Sequence, residues 1–180
     1  MLAAELLWVP AQWMIAWMLA ATVHELCHIL ALKLFGSRIH MIKLDFGGAK
    51  IDVQLAPGLK SAACALAGPM GGLLLILAYR IAPRTALCAF FQSVINLLPL
   101  YPMDGGRTLA GLIFGLFGEK AVKKVIPVVE KITCILLLLL AAYVSVRWNL
   151  GLIPILLALF LCLRNKNIPC KRSPYRVQYL

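Results

Sequence analysis

Two histidines and a glutamate stand together in HELCH, residues 24–28. On a helix, positions 24 and 28 lie one turn apart on a common face. Their imidazoles could therefore converge on one metal ion at about 2.0–2.1 Å. Glu25 sits beside the pair, placed to take a proton from a metal-activated water as general base without being a ligand. A zinc ion lowers the pKa of such a water to about 7 and offsets the cost of burying an ionised carboxylate. Two histidines leave a catalytic zinc one protein ligand short. Asp104, in NLLPLYPMDGG at 96–106, is the best candidate for the third, with Gly105 and Gly106 permitting close backbone approach. Each reading has a plainer rival. Buried His and Glu could pair with one another or relay protons in a transporter. Asp104 could cap a helix starting near Gly105. Cys27, inside the motif, reads as helix packing, and His40 as a surface residue.

The segments that must position these groups are apolar. Hydrophobic residues make up 62% of the 180, well above an ordinary soluble domain, and between Leu6 and Leu32 the only formal charge is Glu25. Runs of this kind predict spans at 6–32, 61–79, 85–116, 128–146 and 149–163, judged against the roughly 20 helical residues a bilayer requires. Pro99, Pro102, Gly105 and Gly106 interrupt the third, and non-helical backbone at membrane depth persists only where protein or a water-filled cavity surrounds it. Residues 37–58 instead alternate polar and apolar side chains around Gly47–Gly48, predicting two short strands or a hairpin. The expected fold class is thus an α-helical polytopic membrane protein. It has about five transmembrane helices, a short β-hairpin or sheet after the first, and a third helix broken by a Pro/Gly-rich loop. Its divisions are 1–117, a three-helix core that includes the β region 37–58, then 118–164, two further helices, and 165–180, a basic tail.

The net charge of +11 follows this topology. Basic residues gather in 33–60, 118–131 and 164–176, against Arg80, Arg84 and Arg147 on the opposite side. By the positive-inside rule the N-terminus lies outside and the tail in the cytoplasm of a multi-pass cell-membrane protein, with the site towards the cytoplasmic face. The basic tail reads as orientation and anionic-lipid contact, with no nucleic acid as partner. Six cysteines without CxxC spacing, most of them in apolar runs, read as reduced.

Taken together, the motifs resemble the site-2 protease family of intramembrane zinc metalloproteases. HELCH matches its HExxH signature, NLLPLYPMDGG its Asn-x-x-Pro-x-x-Pro-x-Asp-Gly pattern, and LAGPMGG at 66–72 its intervening Ala-Gly-Pro stretch. The resemblance covers roughly residues 5–117 and is closest to the bacterial sporulation type. It implies one zinc ion held by His24, His28 and Asp104, with Glu25 as catalytic base. It further implies that Asn96 positions the reacting peptide and that Gly47 and Gly48 lie near the entering substrate. Met103 stands where the family commonly has Leu, and regulatory CBS and PDZ modules are missing. The implied activity is hydrolysis of a membrane-embedded or membrane-tethered protein, with release of a transcription factor as one outcome, and regulatory membrane proteins are compatible partners. A transmembrane helix hides its carbonyls in internal hydrogen bonds, so the substrate must unwind, and strand addition at residues 38–56 is the expected means of holding it. An ion transporter built on the same groups, or a silent scaffold, are the alternatives. A transporter would keep its activity in Glu25→Gln, where a protease would keep its metal and lose turnover.

Overall fold

The computed structural model describes residues 10–36, 39–45, 48–53, 58–164 and 177–179, the strands by their backbone alone. Helix α1 runs Ala11–Leu34, strands β1 and β2 run Ile39–Asp45 and Gly48–Val53, and α2 runs Leu59–Leu74 with a 3-10 extension over Leu75–Ala78. Helices α3, α4 and α5 follow at Pro83–Asn96, Asp104–Trp148 and Ile153–Arg164, and β3 is Val177–Tyr179.

Helices α1, α2 and α3 pack against one another, α4 packs on α2, and α5 on α4. The contacts use small side chains. On α1 the buried positions are Ala16, Ala20, His24, His28, Ala31 and Leu32, a stripe of nearly one-turn spacing. Its N-terminal half, Ala16 and Ala20, meets Cys88 and Ala89 of α3, and its C-terminal half, Ala31 and Leu32, meets Cys64 and Ala65 of α2. Association of helices in lipid gains little from hydrophobic burial, so it depends on small residues that let backbones approach. This stripe therefore aims both histidines of α1 at its partners. Large apolar residues point outward, among them Met18, Leu30, Leu77 and Leu140.

The expected fold class is corrected. Among the described residues, three helical segments, rather than five, are long and apolar enough to cross a membrane: Ala11–Leu34, Leu59–Ala78 and Asp104–Trp148. Helix α3 has 14 residues and α5 has 12; at 1.5 Å per residue they extend about 21 and 18 Å, short of a hydrocarbon core of about 30 Å. Of the span expected at 85–116, residues 85–96 lie in α3 and 104–116 open α4. Helix α4 is two helical stretches joined at a kink where Gly118 leaves helical geometry (φ 77°), and the second, with Pro127 inside it, contains the span expected at 128–146. The β-hairpin is withdrawn as a feature of the fold class, because the body of the molecule is helical. Backbone β1 and β2 pair antiparallel, but β3, from the far end of the chain, pairs with β2 and makes it the middle strand. None of the principal helix contacts involves a strand. Gly47 lies outside the described residues, and Gly48 opens β2 opposite Asp45.

Candidate metal centre

α1 presents His24 and His28 from successive turns, with ring centroids 4.9 Å apart and planes at 82°. Asp104 arrives from across the chain as the first residue of α4. The preceding segment, Leu97–Met103, folds back on itself through Leu100 N–H to Leu98 O (2.7 Å) and Met103 N–H to Leu100 O (2.8 Å), and its Tyr101–Pro102 peptide is cis. Gly105 and Gly106 lie where a Cβ would overlap the Leu97, Leu98 and Leu100 backbone, so the α4 N-terminus can seat against that loop only with glycine there. Asp104 is not a cap: Met103 is the N-cap residue, and no side chain caps this helix.

The three donor atoms converge. Asp104 Oδ2 lies 3.0 Å from His24 Nε2 and 3.2 Å from His28 Nε2, and the two Nε2 atoms are 3.3 Å apart. His24, His28 and Asp104 are 2%, 2% and 5% exposed, which places the cluster out of reach of bulk water. His28 Nδ1 is 2.8 Å from Cys64 O. A carbonyl only accepts, so Nδ1 carries the proton and the neutral ring turns a lone pair at Nε2 towards Asp104 and His24. Lone pairs facing a carboxylate oxygen at this separation repel unless an imidazole proton or a metal cation lies between them. Tetrahedral coordination with bonds of about 2.0–2.1 Å sets its ligands about 3.3 Å apart, which is the spacing found. A two-histidine, one-carboxylate donor set also suits zinc and leaves a further position open. On geometry and chemistry alike, these residues fit the ion.

The surroundings complete the site. Gly68 lies one turn beyond Cys64 on α2, where a Cβ would overlap the His28 imidazole. It is the absence of that atom that lets the ring reach the Cys64 carbonyl, which orients the imidazole from behind as supporting partners of metal-bound histidines do. Asn96, the last residue of α3, brings Nδ2 to 3.3 Å from His24 Nε2. Glu25 is half-buried, and its Oε2 is buried without a hydrogen-bond partner among the described residues. A cavity of about 160 Å³ opens beside the cluster. His24, Asn96, Asp104 and Arg107 form its polar side, and Ile95 and Leu161 part of its apolar side. Of the sequence-predicted residues, His24, His28, Asp104 and Asn96 are thus brought together, Glu25 adjoins them along the helix, and Gly48 is placed on the sheet. The Cys64 carbonyl, Gly68 and Arg107 were not singled out for the site. A basic residue inside an apolar span was the visible signal for Arg107, but backbone groups such as the Cys64 carbonyl carry no sequence signal.

The fold and site define a helical assembly, with segments able to cross a membrane, around a buried two-histidine, one-aspartate centre capable of holding a metal. No family model matches the chain, and no curated protein matches it. Among solved structures, the Site-2 Protease from Methanocaldococcus jannaschii has the same fold, with a TM-score of 0.54 and 22% identity over 88% of this chain and 79% of that one. The similarity is one of fold.

Proposed function

We propose that this chain is an intramembrane zinc metalloprotease of the site-2 protease kind, cleaving a membrane-embedded or membrane-tethered protein within or near the bilayer. The observation that carries the reading is the convergence of His24 Nε2, His28 Nε2 and Asp104 Oδ2 within 3.3 Å, next to a glutamate that shares the helix of both histidines. The fold likeness to the archaeal Site-2 Protease supports it and lends nothing to the sporulation type in particular.

His24, His28 and Asp104 would hold the ion, which when bound supplies Lewis acidity at the reacting carbonyl. Glu25, whose free carboxylate oxygen engages no donor among the described residues, accepts the proton of the attacking water and returns it to the leaving amine. Asn96, at the edge of the cavity, orients the peptide by hydrogen bonding. The buried setting excludes competing water and strengthens these electrostatic contacts. In this reading the protein lies in the cell membrane, the bias of its basic residues puts the tail in the cytoplasm, and its partners are the bilayer and a single-span or tethered substrate.

The test is purification in detergent with metal analysis, followed by incubation with single-span proteins and identification of fragments by mass spectrometry. Wild type carries about one zinc per chain and cleaves. Glu25→Gln keeps the zinc and loses about 10²–10⁴-fold in turnover, the range general base catalysis supplies. A zinc-free wild type, or a Glu25→Gln variant of undiminished activity, refutes the assignment.

A further inference from the structure

Arg107 is buried, 6% exposed, one turn along α4 from Asp104, and it lines the cavity that His24, Asn96 and Asp104 also line. It is the one permanent cation among the residues that line this cavity. Its surroundings hold it in place from the loop side. The guanidinium carbon lies 6.0 Å from the centroid of the Tyr101 ring, within cation–π range. The Tyr101 backbone is anchored, its N–H donating to Glu130 Oε1 at 3.1 Å. Arg107 thus brings a positive charge to the cavity beside the ligand cluster, next to a loop tied to the far half of α4.

We propose that Arg107 faces the scissile segment of the substrate and stabilises, by hydrogen bonding and charge, the negative oxygen that develops at the reacting carbonyl. This rests on the protease reading of the same site. The physical argument begins with the substrate. An unwound transmembrane segment exposes carbonyl oxygens that find no water in the bilayer core, so donors must come from the protein. Guanidinium offers five N–H donors in a fixed fork, accepts nothing and does not lose its charge. Asn96, across the same cavity, offers a neutral amide. A preoriented cation in a water-excluded site interacts more strongly with an oxygen acquiring charge than with a neutral carbonyl. Its contribution therefore appears in kcat more than in KM.

The experiment compares wild type with Arg107→Gln, Arg107→Met and Arg107→Lys. The probe is a transmembrane Leu/Ala peptide of roughly 30 residues, long enough to span with its flanks, with a central Gly-Pro pair to ease unwinding. For each protein, kcat, KM, zinc content and thermal unfolding are measured, together with the affinity of a phosphinic analogue of the same peptide, whose tetrahedral centre carries negative charge. Arg107→Gln and Arg107→Met should retain zinc and lose about 10²–10³-fold in kcat, as expected for removal of one such donor, with KM within about 3-fold. Affinity for the phosphinic analogue should fall with kcat, while affinity for the uncleaved peptide on the Glu25→Gln background stays near that of Arg107-bearing protein. Arg107→Lys should recover part of the loss. Variants within 3-fold of wild type in kcat/KM overturn the proposal. So does loss of zinc or of the folded state in every variant, which would assign Arg107 to the structure alone. A zinc-loaded wild type that cleaves no peptide sinks the protease reading itself, and is told apart from the other failures because there wild type is active.

Discussion

His28 shows how far a single side chain depends on atoms outside its own motif. Its Nδ1–H is donated to the Cys64 carbonyl, and only the missing Cβ of Gly68 allows that contact. Gly68→Ala should push the imidazole out of line while leaving HELCH intact. Overpacking of this kind costs about 1–3 kcal/mol, and disturbing the support of a metal-binding histidine lowers metal affinity about 10–100-fold. Zinc competition with a chromophoric chelator reads the second effect and thermal unfolding the first; zinc affinity equal to wild type would mean that the ring has room to spare. HELCH and Asp104 were legible as a candidate ligand set because their side-chain chemistry and spacing are written locally. Gly68 stood out only as part of a resemblance, since its role consists of an atom it lacks opposite a residue forty positions away.

The segment Leu97–Met103 and the helix after it act as a unit. Pro99 and Pro102 prevent helix from running through Asn96 to Asp104, and the break delivers Asn96 at the end of α3 and Asp104 at the start of α4 to the same histidine. Glu130, 26 residues further along α4 than Asp104, accepts the Tyr101 N–H and fastens that loop. Glu130→Ala leaves this partly buried donor unsatisfied and should destabilise the folded protein by about 1–3 kcal/mol. Glu130→Gln keeps an acceptor oxygen and should lose much less, as measured by thermal unfolding of the detergent-solubilised protein. Equal effects would show that charge, rather than the hydrogen bond, matters there. The interruption near Pro99–Pro102 was legible from proline and glycine alone. That the helix resumes directly after the kink at Gly118, with Pro127 and the charged residues of 119–131 inside it, was not, because those residues read as a connection between spans.

Around this centre the molecule turns its large apolar side chains outward, with Leu140 59% and Leu77 84% exposed. Such a surface is tolerable in lipid and aggregation-prone in water. Leu140→Arg, on an outward face of the second half of α4, should therefore hinder membrane insertion by about 2.5–3.5 kcal/mol. On a soluble protein, the same exposed substitution is usually within about 0.5 kcal/mol of neutral. Reporter glycosylation at sites flanking residues 119–148 measures the inserted fraction, and unchanged insertion would place this face outside the hydrocarbon. The interior, by contrast, is built mainly from Ala, Cys, Gly and Ser, with Leu32 and Leu100 as the large exceptions, so substitutions that enlarge it act through helix separation and reach the ligand cluster.

Composition and local pattern were enough to establish an apolar helical chain, to single out HELCH and the carboxylate after the Pro/Gly break, and to mark where a helix must stop. These properties depend on residue type and spacing within a few turns. How many helices are long enough to span, which strand joins from the chain's end, and that Arg107 shares a cavity with the ligands were decided by tertiary packing. So was the orientation of His28 by a carbonyl on another helix. Each depends on contacts between segments tens of residues apart, and the geometry of such contacts is set by how closely backbones approach, which no local spacing encodes.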